Sequence, residues 1–131
     1  MNDSPGNTGY GSEHRPIEIR HKQAERVLEI EFDNGVTVTL PAELLRVESP
    51  SAEVQGHGPS QKKLIAGRSQ VGMLAIEPVG NYAIRISFDD LHDTGIYTWS
   101  YLYEMGANLE AIWKGYIDAL EAAGLSRDPK A

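Results

Sequence analysis

Up to residue 88 the chain alternates apolar and polar residues in short runs that end at turn residues. A period of two is typical of strands with one buried face. Leu28, Ile30 and Phe32, for example, alternate with glutamates. The pattern predicts half-buried strands at 16–21, with Ile17 and Ile19 on one face, and at 26–32, 36–40, 71–78 and 82–88. Asp-Asn-Gly at 33–35 predicts a tight turn.

After residue 97 the apolar residues change to helical spacing. Thr98 is a candidate N-cap for a helix over 99–105, which Gly106 would end. Asn108 is a candidate N-cap for a second helix, which would end at Gly124. In the second helix, Trp113 shares an apolar face that should be buried against the sheet. Pro41 can open a helix and predicts a further short helix over 42–47. Strands first and helices last favour one compact α+β domain, a largely antiparallel sheet packed by C-terminal helices.

The 131 residues are enough for one domain with its own core. We expect a disordered tail at 1–15, the domain at 16–125 and a polar tail at 126–131. The segment 48–67 is rich in Gly, Pro and Ser and predicts a long irregular loop. No internal repeat is visible in the sequence.

Composition narrows the classes of function. The chain has no cysteine, which excludes disulfides, a thiol nucleophile and thiolate metal sites. Its net charge of −7 argues against nucleic-acid binding. It has neither an apolar run long enough to span a membrane nor a signal peptide, so we expect a cytoplasmic protein that does not bind membranes. There is no phosphate-binding loop and no nucleophile elbow.

The strongest candidate for chemistry is the acidic turn at 89–93, which contains His92. Together with His57 of the long loop and Asp93, His92 could form a two-histidine, one-carboxylate metal site. The alternative is a solvated acidic turn with a locally paired histidine. Tyr101 or Tyr103 could anchor an interface. A small basic cluster could face an acidic partner or solvent; it comprises Lys62, Lys63 and Arg68.

Several motifs together resemble one family: FDDLHDTGIYTWSYL, IEPVGNYAIRISF, LRVESPSAEVQGHGP and the opening IEIRHKQAERVLEIEFDNG. They resemble the gamma-butyrobetaine hydroxylase-like N-terminal domain, also called DUF971, over about 16–124. In the carnitine-pathway hydroxylases this domain precedes a 2-oxoglutarate/iron oxygenase domain and holds a structural zinc through three cysteines and a histidine. Related domains are attached to iron–sulfur carrier ATPases.

The resemblance implies that His92 matches the zinc histidine and that the cysteine positions fall on Ser49, Ser51 and Val54. Hydroxyls and a valine do not replace thiolates for zinc, so we expect the zinc site to be lost. The chain is similar to the cysteine-free, stand-alone bacterial type of this domain.

The interpretation is a non-enzymatic binding or adaptor domain without a cofactor. It would bind an unidentified protein partner and serve a metalloenzyme or an iron–sulfur system. The alternative is a divergent metal-binding protein that uses His92 and His57. We expect the loop 49–59 and the turn 89–95 to lie side by side and form the binding surface. Its predicted residues are Ser49, Ser51, Glu53, His57, Asp90, His92, Asp93 and Tyr97.

Overall fold

The computed structural model describes residues 14–129 and begins with a three-stranded antiparallel sheet. Strands β1 (Pro16–Lys22), β2 (Val27–Phe32) and β3 (Thr37–Pro41) follow in that order. Leu28, Ile30 and Phe32 of β2 are fully buried and its glutamates are half-buried, as the period of two predicts. Gly35, with φ of 89°, forms the predicted tight turn between β2 and β3.

A second three-stranded antiparallel sheet contains β4 (Met73–Val79), β5 (Ala83–Phe88) and β6 (Ile96–Thr98). The α+β class predicted from the sequence is therefore confirmed, although the strands form two sheets. Strand β6 was not predicted, because three residues are too few to show an alternating pattern.

The two sheets have the same internal register, which makes them a structural repeat. Each partner pair between β1 and β2 has a counterpart between β4 and β5, and both first strands carry a bulge at the same place. Pro16 pairs with Phe32 just as Met73 pairs with Phe88. The third strand in each sheet leads directly into a helix. The repeat is not visible in the sequence because a common backbone pairing does not require the same side chains.

Within residues 14–129, four α-helices accompany the sheets: α1 (Ala42–Val47), α2 (Ala52–Gln55), α3 (Trp99–Ala107) and α4 (Leu109–Ala122). The side chain of Thr98 accepts a hydrogen bond from the Tyr101 amide and caps α3 as predicted. Gly106 does not end α3 but lies within it, against Val38. The Asn108 side chain bonds the Glu104 carbonyl instead of capping α4. Helix α2 and a 3-10 turn (Pro59–Gln61) divide the segment predicted to be irregular.

The core joins both sheets to α1, α3 and α4. Both sheets contribute large side chains that are fully buried in it. Two predictions of burial are wrong. Ile17 and Ile19 are 61% and 38% exposed because β1 is an edge strand and Ile17 lies at its bulge. Trp113 is only half-buried: its ring packs against the edge of the core, and the Arg127 guanidinium lies 5.0 Å from it.

The predicted domain bounds are also too narrow at both ends. The Arg15 carbonyl accepts a hydrogen bond from the Asp33 amide, and the His14 ring stacks on Tyr103 at 3.8 Å. At the other end Arg127 pairs with the buried Glu43 at 2.7 Å, so 126–129 belong to the fold. The remainder of the predicted tails, 1–13 and 130–131, lies outside the described residues. Between 14 and 129 no helix combines the length and apolarity needed to cross a membrane.

Candidate functional site

The structure places the turn 89–95 beside the segment 49–53. In the first sheet, pairing between the second and third strands continues to Glu31 and Thr37, and a tight turn closes it. In the second sheet, pairing stops at Arg85 and Ile96. The residues that follow β5 are therefore not paired with β6, and they contact the segment that follows α1.

Three polar contacts join the turn to that segment. The ring Nε2 of His92 lies 2.9 Å from Ser49 Oγ, and its Nδ1 lies 3.0 Å from Glu53 Oε1. The hydroxyls of Ser51 and Thr94 are 2.7 Å apart. Ser51 also accepts a hydrogen bond from the Glu53 amide and so caps α2. A histidine, a glutamate, two serines and a threonine thus connect two segments that are distant in sequence.

His92 is 7% exposed and occupies the centre of this network. Burial lowers the pKa of His92 below its ordinary value, and the nearby Arg46 guanidinium lowers it further, while the Glu53 carboxylate opposes both. His92 is therefore neutral at pH 7, and one ring nitrogen carries the proton while the other accepts.

Asp90 fixes the start of the turn. Its carboxylate accepts hydrogen bonds from Arg46 Nε and Arg68 Nε, both at 2.7 Å, and from the His92 amide at 3.1 Å. Burial would raise the pKa of Asp90, but these hydrogen bonds outweigh it and lower the pKa below its ordinary value. Asp90 remains ionised and acts as a structural anchor between α1 and the second sheet.

Ser49, His92 and Glu53 lie in the order of a hydrolytic triad, with the hydroxyl at Nε2 and the carboxylate at Nδ1. A nucleophile must also come within about 3–3.5 Å of the reacting carbon. Ser49 has no exposed surface, and a Cβ added to Gly95 would collide with its hydroxyl. Ser49 therefore has no open approach for a substrate carbonyl in this arrangement, and the network ties the turn to the segment.

The positions that the family resemblance assigns to zinc do not fit the metal. Ser49, Ser51 and Val54 offer two hydroxyls and an aliphatic side chain, and Val54 is 1% exposed. Both ring nitrogens of His92 already have partners. His57 is exposed, and its amide bonds the Gln61 side chain. Across 14–129, no group of three or more His, Cys, Asp or Glu side chains is arranged to hold a metal ion.

The predicted surface residues divide into two groups. Ser49, Ser51, His92 and Tyr97 are buried and Asp90 is half-buried, whereas Glu53, His57 and Asp93 are exposed. The Tyr97 hydroxyl donates to the Leu45 carbonyl at 2.6 Å, and burial raises the pKa of Tyr97. Tyr101 and Tyr103, the two predicted interface anchors, are half-buried, and Tyr101 donates to the Glu48 carbonyl. The buried group holds the turn in place, and only the exposed group can touch a partner.

Sequence reasoning missed Leu91, at the tip of the turn. Its side chain is 83% exposed, and its φ is 76°, in the left-handed region that leucine rarely adopts. Its amide donates to the Phe88 carbonyl at 3.0 Å, and the Phe88 amide donates to the His92 carbonyl at 2.9 Å. The turn therefore holds an exposed leucine in a strained backbone conformation, with Asp89 and Asp93 two positions before and after it in the sequence.

Fold and site define a small α+β domain whose polar residues organise a surface turn. The chain belongs to the gamma-butyrobetaine hydroxylase-like N-terminal family, whose model matches residues 19–103. A crystal structure from Acidithiobacillus ferrooxidans of a DUF971 family protein of unknown function is 38% identical. It aligns with a TM-score of 0.61 over 71% of this chain and 93% of its own.

Two solution NMR structures are also similar. One is 44% identical, with a TM-score of 0.78 over 90% of this chain and 93% of its own. The other is 45% identical, with a TM-score of 0.78 over 95% of this chain and 92% of its own. No curated protein matches the chain.

Proposed function

We propose that the chain is a non-enzymatic protein-binding module that acts as an adaptor. Its contact surface, which we call the turn surface, consists of residues 89–95 and the exposed residues of 53–57. Leu91 is the most exposed large apolar side chain of this surface, which also carries the exposed carboxylates of Glu53 and Asp93. A partner suited to it has an apolar pocket with basic residues at the rim.

The observation that carries this proposal is the conformation of Leu91. Exposing 83% of a leucine at a positive φ contributes nothing to folding and costs about 1–3 kcal/mol of backbone strain. The Asp90 and His92 contacts hold the turn rigid, so little conformational entropy is lost when a partner binds. A rigid, exposed apolar side chain among charges is typical of an interface anchor.

The non-enzymatic part of the proposal rests on Ser49 and His92, the nucleophile and base that lie within hydrogen-bonding distance. Their burial and their contacts make them part of the scaffold. The family's name associates such domains with the N-terminal part of hydroxylase-like proteins. By that association alone, we propose that the partner is a cytoplasmic metalloenzyme or iron–sulfur protein.

The test compares two leucine variants. Leu91→Asn keeps a residue that tolerates positive φ but removes the apolar anchor. Leu74→Asn is the matched control, since Leu74 is 57% exposed on β4 and is not one of the residues of the turn surface. A partner captured from native extract is purified, and its affinity for each form is measured by calorimetry.

We expect Leu91→Asn to weaken binding by about tenfold or more, which corresponds to about 1.4 kcal/mol. Leu74→Asn should leave the affinity unchanged. Equal affinities of wild type and Leu91→Asn would refute the turn surface, as would an equal loss in both variants.

A further inference from the structure

A groove of about 500 Å³ separates α4 from the segment that joins α1 to β4. Its volume lies within the range of about 300–1,000 Å³ typical of ligand sites. Apolar side chains of Val47, Ile65 and Ile112 line it, and Lys62 and Lys63 lie at its edge. The turn surface does not contribute to it.

Gly115 lines this groove in the middle of α4. Glycine weakens a helix interior relative to alanine, so a helical glycine usually has a packing reason. Gly106 has such a reason, because a Cβ there would collide with Val38. A Cβ at Gly115 would meet nothing within 4 Å. The missing side chain at Gly115 therefore serves nothing inside the chain and leaves the helix backbone open to close approach.

The small residues continue one turn away in each direction. Ala111 and Ala119 also line the groove, and both are exposed. Together with Gly115 they form a shallow wall against which another backbone can lie. The apolar side chains of Val47, Ile65 and Ile112 form the floor of the groove, which suits aliphatic side chains of a bound molecule.

The positive charge at the edge of the groove favours a bound molecule that carries a negative charge. Lys62 pairs with Glu48 at 2.6 Å, whereas Lys63 forms no ion pair with any residue between 14 and 129. The chain as a whole carries a net charge of −7, so this uncompensated ammonium group stands out on an acidic protein. It is complementary to a carboxylate on the bound molecule.

Two hydrogen bonds define the shape of the groove. The Tyr116 hydroxyl of α4 donates to the Ile65 carbonyl at 2.8 Å, and the Lys63 amide donates to the Val54 carbonyl at 2.7 Å. These bonds hold both walls at a fixed separation, which reduces the entropic cost of binding.

We propose that this groove binds an extended peptide segment of a partner protein. The peptide places aliphatic side chains on the floor, its backbone against Gly115 and an acidic residue at Lys63. The chain then has a second contact surface besides the turn surface, as an adaptor requires. This inference stands on its own observations and does not depend on Leu91.

The probe is a displayed library of random peptides, selected on the full chain, followed by calorimetry with the enriched peptide made synthetically. Gly115→Leu fills the groove, and Lys63→Glu reverses the charge at its edge. Lys114→Glu is the matched control, because Lys114 is exposed on the same helix and pairs with Asp118 outside the groove. Circular dichroism checks that each variant is folded.

We expect the selected peptides to be rich in aliphatic and acidic residues. Gly115→Leu and Lys63→Glu should each weaken their binding by about tenfold, while Lys114→Glu and Leu91→Asn leave it unchanged. Absence of enrichment, selection of basic peptides, or binding that survives both groove variants would overturn the proposal. Because Leu91→Asn changes only the turn surface, peptide binding by this variant tests the groove independently of the proposal for the turn surface.

Discussion

Alanine at two helical glycines should change the stability in opposite directions. Gly115 lies in the middle of α4, and an added Cβ has open space around it. The substitution Gly115→Ala removes the backbone entropy cost of glycine in a helix and introduces no clash. We expect the free energy of unfolding to rise by about 0.5–1 kcal/mol.

Gly106 lies near the end of α3, and a Cβ there would lie 2.6 Å from the Cβ of the buried Val38. The Val38 Cβ is fixed to its backbone, so rotation of the side chain does not relieve the contact and α3 must move away from β3. Overpacking of this kind costs about 1–3 kcal/mol, and the helix preference of alanine recovers part of it. We expect Gly106→Ala to lower the free energy of unfolding by about 1–2 kcal/mol.

Urea unfolding followed by circular dichroism measures both variants. With the two free energies about 2 kcal/mol apart and a denaturant slope of about 2 kcal/mol/M, the midpoints should differ by about 1 M. A loss of stability in Gly115→Ala would mean that the glycine has a role inside the chain. A neutral Gly106→Ala would mean that α3 does not pack on β3 as described.

Three further changes test other parts of the structure. Burial lowers the pKa of His92, so the stability that neutral His92 contributes is present above its ordinary pKa and is lost as the pH falls towards the folded value. The stability difference between wild type and His92→Gln should therefore shrink between about pH 7.5 and pH 5.5, and a constant difference would be inconsistent with a buried neutral histidine. EDTA should leave the thermal midpoint unchanged, because the residues at the positions that the resemblance assigns to zinc offer no thiolate; stoichiometric zinc in untagged protein, together with unfolding in EDTA, would refute this. Arg127→Ala should cost about 1–2 kcal/mol, because it leaves the Glu43 carboxylate buried without its bidentate partner. The control Lys114→Ala breaks an exposed pair worth at most about 0.5 kcal/mol, and equal costs in urea unfolding would show that the C-terminal segment is not docked.

The sequence predicts most of the strands and helices because their patterns are local. Leu28 and Ile30 alternate with glutamates, and Thr98 precedes an apolar helical run, so burial and capping follow from neighbouring residues. The exposure of Ile17 could not be predicted this way. It depends on β1 lying at a sheet edge with a bulge, which is a property of strand pairing.

The site was predicted in part for the same reason. The acidic turn with His92 is visible in the sequence, but Ser49 lies 43 residues away, and no local pattern reports their contact. Leu91 was missed because a single leucine in a polar turn carries no periodic signal. Comparing Phe32-Asp33 with Phe88-Asp89 as the ends of equivalent strands would have marked 89–95 as the longer of two related turns.

The turn surface is tested most directly by nuclear magnetic resonance mapping. The isotopically labelled chain is titrated with the purified partner, and amide shifts are followed for each residue. The largest changes should fall on Glu53, His57, Leu91 and Asp93. If the changes fall on the outer face of α4 or on the edge of β1 while residues 89–95 keep their free shifts, the turn is not the binding surface.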